Sequence, residues 1–442
     1  MSEYSKNLLI SDKYAGYIID SMKYKWNILH GGVRAGKGVI NCLAFCLRLE
    51  RYETSRELIF LACAVSESMA KALLGENNGY GIAYYFDKCA EYKKYKGMEA
   101  LKITLKKNNK NVIRWVLFCG GAKADSYKSI RGLSVEGIIA SEVNLFHPDF
   151  MEECKRRQVA AIDPFNYFDA NPTFEGHWIY SDYIDNKNLN VNYMNVTLLD
   201  NAALTKERID DVISEYDPDS DLYKAAIEGK RINLSGLIYN VRSYNIIDDF
   251  NPEDYIEWIS VADPGENNSA SVFLCCGLIY NNDSKQYEVH ILKEYFHRNA
   301  DCKNNVGIKL PMDYAEDYVS FIKECSEMMG KWPHKCLLDE DITFYRSLQQ
   351  VNGNIPMALF TYATKNEVDQ RVKEGINLLY KGRLRFHKSC TNTIYEYKNA
   401  VFDPDKILKG KFERMDKPDL LNIDGIDASE YGFTFYSKYL IK

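Results

Sequence analysis

The tightest constraint on this chain is local. The apolar residues Ile28 and Leu29 run into Gly31-Gly-Val-Arg-Ala-Gly36-Lys37-Gly38, and behind that turn Val39, Ile40, Leu43, Cys46 and Leu47 fall on one helical face. A strand, a glycine-rich turn and then a helix is the context in which G-x4-G-K cradles phosphate. The glycines let the backbone wrap a phosphate chain, the free N–H groups at the helix start attract its charge, and Lys37 adds a point charge for the outer phosphates. The bland alternative is an ordinary glycine-rich strand-to-helix turn. One part of the motif is replaced: Gly38 stands where a Ser or Thr hydroxyl would hold Mg²⁺.

At 442 residues the chain exceeds one typical domain, so two or three cores are expected. A hydrophobic content of 46% with 27% charged residues fits a soluble globular protein. The most apolar stretches, such as 271–280, are too short to cross a bilayer, and the opening Met-Ser-Glu-Tyr-Ser-Lys reads as no signal peptide. Twelve cysteines without a C-x-x-C pair, and only seven scattered histidines, point to reduced, buried thiols in a cytosolic setting rather than a zinc site. A net charge of −6 confines any nucleic-acid contact to local patches. Lysines cluster at 93–96 and 106–110, where solvated surface is the simplest reading.

From residue 1 to about 235, strand-like runs alternate with helical patterns, which predicts a parallel α/β sheet. Candidate strands are 26–29, 58–63, 112–119, 137–140 and 165–170. The fourth ends in Ser141-Glu142. In nucleotide hydrolases a buried strand of this kind ends in two acids, the first holding Mg²⁺ and the second polarising the attacking water. Here Glu142 stands in the water-activating place and Ser141 in the metal place. Further on, the strand 165–170 runs into Asn171-Pro172, followed by Thr-Phe-Glu-Gly-His177-Trp178.

This order of motifs resembles the large terminase subunit of tailed bacteriophages, a motor and nuclease that packages viral DNA. Lys37, Glu142, Asn171 and the His177-Trp178 pair match its phosphate loop, acidic strand end and coupling segment. The resemblance implies nucleotide contacts at Gly31, Arg34, Gly36, Lys37, Gly38, Ser141 and Asn171, with Glu142 catalytic. Arg34 and Arg156 or Arg157 become candidate charge stabilisers. Gly38 and Ser141 depart from the family pattern, and both fall on the Mg²⁺ shell. Two readings stay open: Mg²⁺ held mainly by ATP phosphates and water, giving a weak isolated ATPase, or a degenerate site that binds nucleotide poorly.

Residues 196–235 read as two short helices, with Asn201 as a cap and Gly229 as a stop signal. The turn-rich stretch around 248–254 marks a boundary near 245–255. The pattern then changes. Residues 257–262 form a strand ending in Asp263-Pro-Gly, and the long strands 271–280 and 287–296 continue an antiparallel meander. A short apolar strand ends at Asp339, helices are predicted over 341–349 and 368–380, and Asp424 and Asp427 are spaced to share one helix face. Singly, these acids read as turn, cap or surface residues. Together they can converge as an oxygen-rich cage for hard divalent cations. The terminase resemblance implies an RNase H-like nuclease in which Asp263, Asp339 and Asp427 are catalytic, with Asp424 a fourth metal-directed carboxylate. Lys365, Lys409 and Lys411 become candidate contacts to the DNA backbone.

The expected architecture is α/β throughout: an N-terminal P-loop (ASCE/RecA-like) ATPase domain at 1–195, a linker subdomain at 196–250, and a C-terminal RNase H-like mixed α/β nuclease domain at 251–442. The resemblance implies ATP and Mg²⁺ or Mn²⁺ as cofactors. It implies double-stranded DNA, the small terminase subunit and the portal protein ring as partners, with self-assembly on the portal and no membrane. The setting would be the host cell cytoplasm, transiently at the procapsid portal. A metal-dependent nuclease or resolvase whose P-loop domain is only structural is the alternative; a P-loop helicase leaves the C-terminal acids unexplained.

Overall fold

β1 (Trp26–Gly31) is buried along its whole length, as a strand with neighbours on both sides and helices on both faces must be. The computed structural model describes residues 8–440 except 53, 55, 233–235, 266–267, 303–305, 352–353 and 418–420. The chain forms two compact units: Met1–Glu215 with Asp221–Asn233 and Leu408–Gly410, and Tyr216–Ser220 with Leu234–Ile407 and Lys411–Lys442. Among the described residues, no helix is long and apolar enough to cross a membrane.

The first unit holds β1, β2 (Leu58–Ala64), β3 (Ala90–Tyr95), β4 (Met98–Lys107), β5 (Lys110–Gly120), β6 (Gly137–Ala140), β7 (Phe165–Ala170) and β8 (Val191–Val196) in one sheet, ordered β3-β4-β5-β2-β6-β7-β1-β8. The six strands from β5 to β8 are parallel, as the alternating pattern predicts. β3 and β4 extend this sheet with antiparallel pairing. Their turns explain that. Lys96-Gly97 and Asn108-Asn109 all have positive φ, the conformation of two-residue hairpin loops matched to strand twist. The lysine clusters at 93–96 and 106–110 therefore decorate a hairpin edge, where charge also discourages pairing with another chain.

Helices α1 (Asp12–Ser21), α2 (Lys37–Arg51) and α3 (Pro148–Arg157) cover the sheet. Phe45 and Leu49 of α2 pack against Phe60, Ala62, Ile139 and Tyr167 on one face. Phe150, Met151 and Cys154 of α3 join Leu61, Ile138 and Phe168 on the other. Each large apolar side chain so buried contributes about 1.5–3 kcal/mol. The twelve cysteines are all free and ten are buried, matching the reduced state expected.

Helices Lys206–Ser214 and Asp221–Ala226 occupy the region read as two short helices. Thr205 caps the first of them. Asn201 is not its cap. Its side chain instead donates to the Arg34 carbonyl at 2.8 Å and accepts from Ala203 N at 3.1 Å.

The second unit holds β9 (Ile246–Ile247), β10 (Tyr255–Asp263), β11 (Ser271–Asn281), β12 (Gln286–His297), β13 (Cys336–Leu338), β14 (Phe360–Tyr362) and β15 (Leu384–His387), ordered β14-β13-β10-β11-β12-β15-β9. β10 to β12 form the antiparallel meander, whereas β13 and β14 add to β10 in parallel. This is a mixed sheet of the kind implied for an RNase H-like domain. The 19-residue helix α4 (Pro311–Met329), not assigned from the sequence, buries Tyr318, Phe321 and Ile322 against Phe273 and Leu338. Helices α5 (Val368–Tyr380) and α6 (Asp424–Phe435) complete the frame around the acidic residues.

Gly31 is where β1 turns into the glycine-rich loop, at φ +147° and paired with Val196 of β8. A Cβ there would lie 1.8 Å from the Val196 carbonyl oxygen. Gly31→Ala is therefore expected to displace β8 or the loop and to lower unfolding stability by about 3 kcal/mol or more, measured by urea denaturation. A loss below about 0.5 kcal/mol would contradict this packing.

Candidate functional site

β1, β6 and β7 run parallel, so their C-terminal ends open onto one edge of the sheet, where α2 begins. That edge is where ligands bind in open α/β sheets. Lys37 is the first residue of α2, 7% exposed. Its Nζ donates to the carbonyls of Gly31 (2.8 Å) and Gly32 (2.6 Å) and to Asn171 Oδ1 (3.0 Å). Burial pushes the ammonium down to about 8, against the opposing pull of Asp169 and Glu142. The loop is tethered on two sides: Tyr14 Oη donates to the Ala35 carbonyl at 2.5 Å, and Asn201 holds that of Arg34. Arg34 is exposed at φ +56°. At Gly38 a Cβ would meet nothing nearer than Asn77 Nδ2 at 3.9 Å, so crowding does not exclude the missing hydroxyl.

Glu142 directly follows β6 and Ser141, at φ +56°. Non-glycine residues are held in that region at a cost of order 1–3 kcal/mol, commonly at functional sites. Burial, reinforced by Asp169 and offset by Lys37, raises the Glu142 pKa. Asn171 N donates to Asn144 Oδ1 at 3.1 Å, and the Asn144 backbone is hydrogen-bonded to His177. His177 is buried, its pKa pushed down to about 4 by desolvation, so its ring is neutral at pH 7. Its Nδ1 accepts from Ile179 N, and Trp178 lies 5.3 Å away ring to ring. A continuous path thus runs from Lys37 through Asn171 and Asn144 to the His177-Trp178 pair.

Two candidates lie elsewhere. The Arg157 carbonyl accepts from Val135 N, ahead of β6 and so at the opposite end of the sheet from the phosphate loop. Arg156 and Arg157 pair there with Glu153. Sequence reading also passed over a central residue: Asp169, on β7, accepts from Glu142 N at 2.9 Å and from Ser141 Oγ at 3.3 Å. It is the inward neighbour of Asn171 at strand spacing, which is the signal that could have found it.

In the second unit, Ala262 of β10 pairs with Leu338 of β13, which sets Asp263 and Asp339 side by side at two parallel strand ends. The backbone N of Asp339 donates to the Ala262 carbonyl at 3.0 Å. Asp424 and Asp427 share the first turn of α6. Burial, then Asp427, Asp424 and Asp339 in turn, push the Asp263 carboxyl well up. Desolvation likewise raises Asp424 to about 6, although Ala270 N donates to its Oδ2 at 2.6 Å. Asp339, despite its burial, is held low by Lys365, which pairs with its Oδ1. Arg371 Nη1 (2.9 Å) and Arg414 Nη2 both donate to Asp427 Oδ1.

The four acids therefore share one field, each tied to a neighbour. Among the described residues, no group of three or more His, Cys, Asp or Glu is gathered closely enough to hold an ion as it stands. The donor chemistry nonetheless suits a hard divalent cation: all oxygen, with Asp263 buried among like charges. Of the candidate DNA contacts, Lys365 faces Asp339 and the Tyr431 ring, Lys411 pairs with Glu367 and Glu413, and Lys409 is exposed.

The Lys37 environment fixes a pH dependence. Burial disfavours the charged form, so above about pH 8 the free protein has lost the proton that a polyphosphate needs at Nζ. Affinity for ATP is expected to be level near pH 7.5 and to fall by up to about tenfold per unit above pH 8, with proton uptake on binding. Calorimetry in buffers of different ionisation enthalpy measures both; unchanged affinity up to pH 9.5 would exclude this role for the lysine.

No protein-family model and no curated protein matches the sequence. Solved structures do match. The large terminase of a thermophilic bacteriophage aligns over 97% of this chain and 99% of its own, with a TM-score of 0.62 at 20% identity. The same protein in complex with ADP aligns over 96% and 98%, with a TM-score of 0.59 at 20% identity. Its complex with ATP-γ-S gives 0.56 over the same shares and at the same identity. Along nearly its whole length, the chain has the fold of a large terminase.

Proposed function

We propose that this chain is the large terminase subunit of a tailed bacteriophage, in which ATP hydrolysis drives double-stranded DNA into a capsid and a metal-dependent endonuclease cuts the concatemer. The observation that carries the reading is the presence, in one chain of this fold, of two chemically distinct sites at two sheet edges. One joins a buried phosphate-seeking lysine to a water-polarising glutamate. The other joins four carboxylates from two strand ends and one helix.

In the first unit, the geometry supports the following roles. Lys37 exchanges its loop carbonyls for the outer phosphates. Glu142 orients the attacking water, its elevated pKa favouring proton acceptance near neutrality. Asn171 senses the phosphate state through the lysine it bonds and relays it toward His177. Gly31, Arg34, Gly36, Gly38 and Ser141 line the nucleotide.

In the second unit, Asp263, Asp339, Asp424 and Asp427 are the residues that would hold divalent cations beside the scissile phosphodiester. A pair of Mg²⁺ or Mn²⁺ ions supplies, when bound, an activated water and a stabilised leaving oxygen. Lys365 pairs with Asp339 and would have to release it for that carboxylate to serve as a ligand. Residues 1–195 act as the ATPase domain, 196–250 as the coupling linker and 251–442 as the nuclease. The small terminase subunit, the portal ring and further copies of this chain are the partners, in the host cytoplasm.

Two measurements test the two activities separately. Asp263→Asn is expected to reduce Mn²⁺- or Mg²⁺-dependent nicking of plasmid DNA by about 100-fold while leaving ATP turnover intact. Nicking that survives Asp263→Asn would reject the nuclease assignment. Lys37→Ala is expected to reduce portal-stimulated ATP turnover by about 100-fold without altering nicking. Equal turnover in the two proteins would reject the motor.

A further inference from the structure

The strand that should end in a metal-directed acid ends in Ser141, and the loop hydroxyl is missing at Gly38. A carboxylate is nevertheless present at the same spot. Ala140 of β6 pairs with Phe168 of β7, so Ser141 and Asp169 occupy the next register position of neighbouring parallel strands and share a face. Asp169 Oδ1 accepts from Ser141 Oγ and from Glu142 N. Asp169 is only 4% exposed, and its Oδ2 is buried with no hydrogen-bond partner among the described residues. Lys37 and Glu142 both lie within its electrostatic reach. Buried polar atoms without a partner are rare in folded proteins and call for a specific explanation. An acid left half-satisfied beside a phosphate-binding lysine is positioned to meet a cation that arrives with the phosphates.

We infer that Asp169 takes over the role vacated at Ser141: through Oδ2 it anchors the Mg²⁺, or its hydration shell, that accompanies the nucleotide triphosphate. Ser141 becomes a positioning residue that, with Glu142 N, fixes the carboxylate by its other oxygen. Mg²⁺ prefers this arrangement, keeping most of its waters and using one or two carboxylates beside the substrate phosphates. The inference rests on the phosphate-loop reading proposed above.

The test is ATP binding to the full chain by calorimetry, with Mg²⁺ and with EDTA, in wild type, Asp169→Asn, Lys37→Ala and the exchange variant Ser141→Asp/Asp169→Asn. Expected is a Mg²⁺-dependent gain in wild-type affinity that falls at least tenfold in Asp169→Asn, with metal-free binding retained. The exchange variant should recover the gain, which a purely structural aspartate would not produce. An intact Mg²⁺ gain in Asp169→Asn, with binding abolished by Lys37→Ala, overturns the Asp169 assignment alone. Equal loss with and without Mg²⁺ in Asp169→Asn, left unrepaired by the exchange, also overturns it, as a packing effect. A wild type that binds no ATP in either buffer overturns both this assignment and the phosphate-loop reading.

Discussion

The N-terminal unit depends on one buried ammonium. Removing a lysine from water costs several kcal/mol, and an unpartnered buried lysine commonly titrates near 5–6. Burial pushes Lys37 down only to about 8, because the carboxylates of Asp169 and Glu142 pull against it. Its ammonium also donates to three acceptors, two of them carbonyls of its own loop and one the Asn171 side chain, so burial does not leave it without a hydrogen-bond partner. The loop is thereby wound around the cation proposed to face the phosphates, and β1, α2 and β7 are drawn to one point. Tyr14 and Asn201 brace the loop from outside. Little reorganisation is left for ligand binding beyond an exchange of oxygens around Nζ.

The second unit meets the opposite problem, an excess of buried negative charge, and answers it with guanidinium groups. Glu430 is fully buried in α6 and takes hydrogen bonds from Arg371 and from both terminal nitrogens of Arg414. Even so, burial lifts its pKa to about 7. The same two arginines hold Oδ1 of Asp427. Such a cluster is poor evidence for stability, since an apolar replacement of equal volume can do as well. Its value is positional: a planar fork with fixed donors sets the orientation of Asp427. Asp263 is pushed well toward protonation by its burial and by Asp427, Asp424 and Asp339.

Much of this was legible because it obeys local rules. β6 and β7 coincide with the predicted strands to the residue, and the helix over 368–380 likewise, since continuous apolar runs and 3.6-residue periodicity are strong signals. The register that sets Asp263 beside Asp339 is a consequence of two short strands each ending in an acid, and that too could be read. What escaped was long-range or disguised. β3 carries a surface pattern of Tyr and Lys with no buried face of its own, so its strand character comes from pairing with β4. α4 begins at Pro311 behind a loop and mixes Tyr, Asp and Glu among its apolar positions, which blurs its period. Arg371 and Arg414 are far apart in sequence and meet only through α6.

Asp169 shows where linear motifs lose their power. A motif assigns a role to a position along one strand, but what a bound cation experiences is an oxygen at a point in space. In a parallel sheet, the residues after paired positions on neighbouring strands project to the same side within about 5 Å of each other. Ser141 and Asp169 are such a pair, and the Ser141 hydroxyl donates to the Asp169 carboxylate. Burial, reinforced by the Asp169 charge and offset by Lys37, raises the Glu142 pKa, while Asp169 and Glu142 together hold Lys37 near 8 against its own burial. Replacing the aspartate of a strand end by serine therefore leaves a carboxylate at the same sheet edge where the adjacent strand supplies one, as Asp169 does beside Ser141; read alone, the strand ending in Ser-Glu looks short of an acid, while the sheet edge it belongs to holds two.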